Sequence, residues 1–456
     1  MNAERITSSV LVATGAVVAL AALLSALARR IGQPPVIGQV LAGIALGPSV
    51  LGQLPGDPSS LLVPDEVLPH LGVLGQVALV LFMFSVGCEV DTSLLRHQGR
   101  AVTTVSVAAL AVPMAAGVAL GWLAVGTDIA PAGTSDGWVF PLYLAVALSI
   151  TAMPVLASII RDRGLSGTVP GTVATASAAL TDVVGWLVLA GVIALAGPHG
   201  RSPAVLLGLL ACYLLTMAAL VRPVLRRTSA IPGVLRDGPL VAAALLSGWA
   251  TDALGLHAVF GAFLAGLLMP RAADGTPDRE LVSWADRMGG LLLPVFFITT
   301  GFSVDIGGLG PEDALLLPAL LAVAAGAKLG GCALAARLGG RTWRESAVIG
   351  ALMNTRGLTE LIALGVGKEA GLLDDRWYAL LVVMAVVTTA MTGPLLTWWH
   401  RDGGDGPGQR TALPLPAAGP GVPGHGRSPG EPGGGAALGR AVPDRAELWS
   451  ARRPKS

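Results

Sequence analysis

Long apolar stretches separated by short polar loops run through the first 400 residues of the chain. A helix needs roughly 20 apolar residues to cross the hydrocarbon core of a bilayer. Thirteen stretches are candidate crossings, the eighth and ninth being short, and they predict an all-α integral membrane protein with about 13 transmembrane helices. The predicted segments are residues 6–28, 34–52, 68–88, 101–125, 138–160, 168–196, 203–221, 238–254, 255–270, 289–305, 313–336, 345–367 and 377–399.

The basic residues between these segments fall mainly on one side of the membrane. If the amino terminus lies outside, the inside loops carry sixteen arginines and lysines, the outside segments carry four, and residues after His400 add eight inside. Each missed helix would invert every later loop, so this asymmetry supports the segment count through the positive-inside rule. We expect a multi-pass protein of the cell (plasma) membrane with its amino terminus outside and its carboxyl terminus cytoplasmic.

Composition agrees with a lipid-embedded chain and excludes several functions. Only 13% of the residues are charged and 53% are hydrophobic, whereas soluble domains carry about 25% charged residues. A net charge of +1 leaves no surplus to neutralise phosphates, so nucleic acid is not an expected partner. The three cysteines have no metal-ligand spacing, and we expect neither a cofactor nor an enzyme. Residues 401–456 contain 13 glycines and 9 prolines, which predicts a disordered cytoplasmic tail.

The chain contains an internal repeat. The stretch Gly38-Gln-Val-Leu-Ala-Gly43 resembles Gly261-Ala-Phe-Leu-Ala-Gly266, and residues 82–91 resemble residues 296–305. Segments 2 and 3 therefore correspond to segments 9 and 10. Seven crossings separate the copies, and an odd number places the second copy upside down. Inverted repeats of this kind are typical of secondary transporters, whose substrate site lies where the two halves meet.

Two repeat-related segments, the fifth and the twelfth, contain interruptions. Segment 5 includes Thr151 and Pro154, and proline removes a helical hydrogen bond. Segment 12 contains a polar island that begins at Asn354 and ends at Glu360. Broken helices expose helix ends and carbonyl oxygens near the membrane midplane, where a dehydrated cation can bind. The predicted supporting residues of this core are Pro154, Asn354, Thr355, Arg356 and Glu360.

Two isolated charges within apolar segments are candidate transport residues. Asp182 lies near the centre of segment 6, where a carboxylate costs about 2.5–3.5 kcal/mol on insertion scales. A carboxylate there binds a cation or a proton but not both, which is the minimal chemistry of antiport. Lys328 lies in segment 11 and is predicted to compete with the cation. Glu360 is expected to pair locally with Arg356, and Asp252 and His257 to lie near the water interface.

The stretches Pro34–Pro48, Leu81–Asp91, Ala174–Trp186, Gly261–Pro270, Leu293–Asp305 and Met353–Leu361 resemble the monovalent cation:proton antiporter family of Kef-type potassium systems and plant cation/proton exchangers. The resemblance implies a homodimer with crossed broken helices and an elevator-like motion. It further implies scaffold segments at about 6–88 and 238–305, a core at 101–196 and 313–399, and a linker helix at 203–221. It assigns ion binding to Asp182, a transient Na⁺ or K⁺ ligand, with Lys328 as its basic partner.

The chain departs from the family pattern at Thr181, where relatives usually carry Asp, Asn or Gln. With only Asp182 present at this position, we expect Lys328 to pair with it directly and exchange to be one cation for one proton. Thr151 and Thr181 complete the predicted ion-binding residues. The alternatives are a channel-like Kef-type potassium efflux pathway, a sodium-coupled organic anion symporter that binds the anion through Lys328 and Arg356, and an intramembrane hydrolase, for which no second catalytic acid is found.

Overall fold

A computed structural model describes residues 3–56, 59–60, 63–64, 66–89, 99–127, 129–131, 137–196, 203–228, 234–254, 257–269 and 279–401. All regular secondary structure in these ranges is helical. The predicted tail lies outside the described residues, apart from Arg401. The helices are α1 (Ala3–Arg30), α2 (Pro35–Leu46), α3 (Leu68–Glu89), α4 (Arg100–Ala124), α5 (Val139–Ser149), α6 (Met153–Asp162), α7 (Val169–Ala196), α8 (Pro203–Thr216), α9 (Arg222–Thr228), α10 (Val234–Ala253), α11 (Ala258–Leu267), α12 (Arg279–Phe302), α13 (Asp313–Leu338), α14 (Trp343–Met353), α15 (Leu358–Glu369) and α16 (Asp375–Arg401).

Seven helical spans in the described residues are long and apolar enough to cross a membrane. The other predicted crossings correspond to shorter apolar helices, to interrupted helices or to helices with a charged end, so the count of thirteen stays a prediction. The spans are Ile6–Arg30, Pro35–Gln53, Leu68–Cys88, Arg100–Ala124, Val169–Ala196, Asp313–Leu338 and Asp375–Trp398.

The most extensive helix packing falls within two sets. The first set comprises α1–α3 and α10–α12, with α3 against α12 as its largest interface. The second set comprises α4–α7 and α13–α16, held together by α4 against α5, α4 against α13 and α13 against α14. The short helices α8 and α9 connect the two sets along the chain. These sets coincide with the sequence ranges predicted for scaffold and core, while the functional meaning of the division stays a prediction.

Glycines from the two repeat copies interlock in the first set. A Cβ atom built on Gly43 would lie 2.9 Å from the Cα of Gly301, and one built on Gly87 would lie 3.0 Å from the Cα of Gly266. Gly43 corresponds to Gly266 in the repeat, and Gly87 corresponds to Gly301. Each contact therefore joins the segment-2 type of glycine from one copy to the segment-3 type from the other copy. The two contacts are equivalent, as an inverted repeat requires. Without a hydrophobic force between helices in lipid, such close backbone approach holds them together through van der Waals contact.

The same symmetry appears at the outer helices of the set. Gly38 of α2 abuts the backbone carbonyl of Leu24 in α1, and its repeat equivalent Gly261 in α11 abuts the carbonyl of Ser247 in α10. A serine hydroxyl reinforces each junction, since Ser25 donates to the Pro35 carbonyl at 3.3 Å and Ser247 donates to the Gly261 carbonyl at 2.7 Å. The repeat predicted from segments 2, 3, 9 and 10 therefore includes α1 and α10.

Substitution of a packed glycine by alanine tests this interlock. We expect Gly87→Ala to lower the apparent melting temperature of the purified protein, because its methyl group meets the Phe263 carbonyl and overpacking costs about 1–3 kcal/mol. The matched control is Gly191→Ala in α7, where no atom lies within 4 Å of the new methyl group. Equal melting temperatures for the two variants would contradict the interlock.

Candidate ion-binding site

The helix of segment 5 is interrupted between Ser149 and Met153. α5 ends at Ser149, the backbone is extended at Ile150 and Ala152, and α6 begins at Met153. Pro154 lies in the first turn of α6, where a missing N–H is tolerated. Proline has no N–H to donate to a carbonyl of α5, so the two helices cannot form one continuous helix at this point. The interruption leaves the carbonyl oxygens at the end of α5 without helical partners.

The helix of segment 12 is interrupted between Met353 and Leu358. α14 ends at Met353, and α15 begins after Gly357, whose backbone has φ +128° and ψ −112°. Only glycine adopts this conformation readily, because it has no Cβ. The polar island predicted from the sequence therefore forms the connection between two half-helices and the first turn of the second.

The two interruptions cross in contact with each other. The Ala152 N–H donates to the Thr355 carbonyl at 3.1 Å, and the Thr359 hydroxyl donates to the Thr151 carbonyl at 3.3 Å. α16 is hydrogen-bonded to the second interruption. There the Asn354 amide donates to the Thr388 carbonyl, and the Arg356 N–H donates to the Thr389 hydroxyl, both at 3.1 Å.

Arg356 closes the end of α5. Its guanidinium is fully buried and donates to the carbonyls of Ala147 at 3.3 Å and Leu148 at 2.7 Å. The same group pairs with Glu360 at 2.9 Å, and both side chains have zero exposure. A cation at the C-terminal end of a helix also faces the negative end of the helix dipole. The buried carboxylate of Glu360 neutralises a charge that would otherwise be very costly in lipid.

Lys328 completes this arrangement from α13. Its ammonium, also fully buried, donates to the carbonyls of Ala109 at 3.1 Å and Ser149 at 2.5 Å and to the Thr151 hydroxyl at 2.7 Å. An ammonium has three N–H donors, and all three are used. Carbonyl and hydroxyl oxygens also ligate alkali cations. Lys328 therefore occupies an oxygen cluster of the kind that binds Na⁺ or K⁺.

Asp182 lies in α7 and is 3% exposed, yet neither carboxylate oxygen has a hydrogen-bond partner among the described residues. The backbone N–H of Met153, at the start of α6, and the ammonium of Lys328 both act on it electrostatically. The neighbouring Thr181 hydroxyl donates to its own helix, at the Ala178 carbonyl, 2.9 Å away. Asp182 is therefore a buried acceptor with free coordination capacity beside the first interruption.

Other buried oxygens at the crossing also lack hydrogen-bond partners within the described ranges. They are Oδ1 of Asn354, Oγ1 of Thr355 and Oε2 of Glu360. No group of three or more His, Cys, Asp or Glu side chains that could hold a metal ion occurs in the described part of the chain. Glu360 is already paired with Arg356, so a cation bound here would meet the Asp182 carboxylate and neutral oxygens, which suits a weakly held monovalent ion better than a transition metal.

The structure brings together most of the predicted residues but changes one predicted pair. The expected direct pair between Lys328 and Asp182 was wrong for this structure, because the three Lys328 donors are taken by other oxygens. The Arg356–Glu360 pair is present, although Arg356 lies in the interruption and not on a common helix. Asp252 is exposed, and His257 contacts Glu369, a partner that sequence spacing gave no means of finding. The ion-binding role of these residues stays a prediction.

Comparison with known proteins identifies the family of the chain. A model of the sodium/hydrogen exchanger transmembrane domain matches residues 16–401. Cation/H(+) antiporter 20 of Arabidopsis thaliana is 36% identical over 84% of this chain and 47% of the relative. The Na(+)/H(+) antiporter NhaS4 of Synechocystis is 34% identical, over 83% and 94% of the two chains. K(+)/H(+) antiporter 1 of Saccharomyces cerevisiae is 32% identical, over 80% and 43%.

The chain thus spans about half the length of the plant and yeast relatives that it matches. Among solved structures, the sodium proton antiporter MjNhaP1 from Methanocaldococcus jannaschii has the same fold, with a TM-score of 0.63 over 87% of this chain and 97% of that one. At 14% identity this likeness supports the fold alone. The family match and the relatives together show that this multi-pass membrane protein belongs to the sodium/hydrogen exchanger family of cation:proton antiporters.

Proposed function

We propose that this chain exchanges a monovalent cation, Na⁺ or K⁺, for protons by alternating access, as a transporter and not as an enzyme. The observation that carries the proposal is Asp182, a buried carboxylate without a hydrogen-bond partner in the described part of the chain, beside two crossed helix interruptions. A carboxylate in lipid surroundings has to bind something positive, and a cation and a proton exclude each other there. The names of the relatives include sodium, potassium and proton antiporters, which agrees with this substrate class.

The buried charges support one-for-one exchange. Asp182, Lys328, Arg356 and Glu360 lie within one helix set, and their formal charges sum to zero when all four are ionised. A cation or a proton on Asp182 raises this sum by one in either case. The two loaded forms therefore carry equal charge, and a cycle that alternates between them moves no net charge.

The same contacts disfavour a symporter for organic anions. In that reading Lys328 and Arg356 would bind the anion. Lys328 already uses all three donors on neutral oxygens, and Arg356 is committed to two carbonyls and to Glu360. An anion would have to displace these contacts and compete with a buried carboxylate.

The proposal includes an elevator-like motion of the second helix set against the first. Extensive packing within each set supports rigid-body movement, which is one of the common modes of conformational change. We further propose a homodimer in the cell membrane with the amino terminus outside, on the basis of the family resemblance and the excess of basic residues in alternate loops.

A Kef-type efflux pathway differs in that cation flux would not require proton counterflow.

Replacement of the carboxylate by an amide tests the ion-binding assignment. We expect Asp182→Asn to reduce cation-dependent proton flux to background, because the amide can neither release a proton nor neutralise a cation. The measurement uses proteoliposomes that contain a pH-sensitive dye, with Na⁺ and K⁺ added separately. Cation flux in wild-type vesicles without any proton movement would indicate the efflux pathway.

The matched control is Asp162→Asn, an exposed acid at the end of α6 in the same helix set. It should leave exchange unchanged. Wild-type exchange by a folded Asp182→Asn protein would refute the assignment.

The buried ion pair generates a separate prediction on stability. We expect Arg356→Gln and Glu360→Gln each to lower the apparent melting temperature strongly, because an unpaired buried charge costs about 3–5 kcal/mol. The double variant should be less destabilised than the sum of the two, since it leaves no uncompensated charge. The pair Lys368–Asp375, at 2.7 Å, in which Asp375 is exposed and Lys368 half-buried, provides the control cycle, and its coupling should be at most about 1 kcal/mol. Additive effects at Arg356 and Glu360 would contradict charge compensation.

A further inference from the structure

A carboxylate of the second helix set is hydrogen-bonded by two side chains of the first. Glu369, the last residue of α15, accepts from the Gln76 amide of α3 at 3.1 Å through Oε1. It also contacts Nε2 of His257, the residue before α11, at 3.1 Å through Oε2. Both oxygens are therefore engaged across the boundary between the sets. The neighbouring Lys368 pairs instead with Asp375 of its own set at 2.7 Å.

His257 is oriented so that the N–H of its neutral ring points at Glu369. The backbone N–H of Val259 donates to Nδ1 of His257 at 3.3 Å, so Nδ1 is an acceptor and the proton of the neutral ring lies on Nε2. The Thr251 hydroxyl lies 3.3 Å from the His257 carbonyl and accepts from the Gly261 N–H at 3.1 Å. The ring is thus fixed to the α10–α11 junction, with its one donor directed at the other set.

The contact borders a cavity. The cavity has a volume of about 430 Å³ and lies between the two sets, where α3 and α12 of the first face α15 and α16 of the second. Gln76 and Glu369 both line it, together with Phe296, Thr300, Lys368 and Tyr378. The two hydrogen bonds to Glu369 cross this part of the boundary together with a longer one, which the Tyr378 hydroxyl donates to the Thr300 carbonyl at 3.5 Å.

We infer that Gln76, His257 and Glu369 form an inter-set clamp that stabilises one end state of the transport cycle and has to break once per turnover. The inference rests on the proposed function in one respect, namely that the two sets move relative to each other. Each hydrogen bond contributes modestly, because Glu369 is 58% exposed while His257 is 12% exposed. Loss of one bond should therefore shift the equilibrium toward the open boundary by about three- to tenfold.

The test measures opening of the boundary without requiring transport. Thr300 is buried and lines the cavity, so Thr300→Cys reports access through its rate of reaction with a water-soluble maleimide. The background carries Cys212→Ser, because Cys212 is the exposed native cysteine, whereas Cys332 is buried in the second set and serves as an internal control. The exposed Asp375, whose ion pair stays within the second set, provides the control variant Asp375→Asn.

We expect Glu369→Ala and His257→Asn each to accelerate labelling at position 300 about three- to tenfold, with Asp375→Asn and Cys332 unchanged. Asparagine keeps the helix cap of α11 but is too short to reach Glu369. Unchanged labelling in both variants, or an equal increase in Asp375→Asn, would overturn the clamp. If wild-type vesicles exchange no cation for protons while labelling responds as expected, the proposed function fails and the clamp stands.

Discussion

Two buried cations satisfy the carbonyl oxygens that the interruption of α5 leaves without helical partners. In a bilayer no water reaches such oxygens, so a broken helix is tolerated only where the protein itself supplies donors. Arg356 takes the carbonyls of Ala147 and Leu148, and Lys328 takes that of Ser149. Glu360 compensates the charge of Arg356 in a direct ion pair, whereas Asp182 and Lys328 interact electrostatically without one. The position of the candidate ion site follows from this chain of requirements.

The repeat makes the fold symmetric, but the chemistry of its two interruptions differs. The end of α14 is closed by its own backbone, since the N–H groups of Asn354 and Thr355 donate to the carbonyls of Gly350 and Leu352. The equivalent end of α5 has cations instead. One end therefore contacts two cationic side chains, while the other is closed by backbone, with oxygens of Asn354 and Thr355 that have no partner among the described residues. This asymmetry lets a single carboxylate, Asp182, define where a cation is attracted.

Sequence reasoning located the elements of the site because lipid makes polar residues conspicuous. Asp182, Lys328 and the island from Asn354 to Glu360 stand out in apolar segments, and Pro154 marks the first interruption without any structure. The partners could not be predicted, since charge alone suggested that Lys328 would seek Asp182. Carbonyl oxygens carry no signal in a sequence, yet two of them and a hydroxyl oxygen take the three donors of Lys328. The contact between His257 and Glu369 joins residues 112 positions apart, and no local pattern reports it.

The interlocked glycines have a consequence for the order in which the protein is built. Gly301 follows Gly43 in the chain by 258 residues, and at synthesis rates of about 5–20 residues per second it emerges roughly 13–50 s later. During that interval α2 and α3 are already made, with the glycine surfaces that α11 and α12 will cover still open to lipid. All of α4–α7 is translated in between. Synthesis of the first helix set thus begins first and ends late. Until α11 and α12 are made, the glycine surfaces of α2 and α3 are the ones exposed to non-native helix contacts.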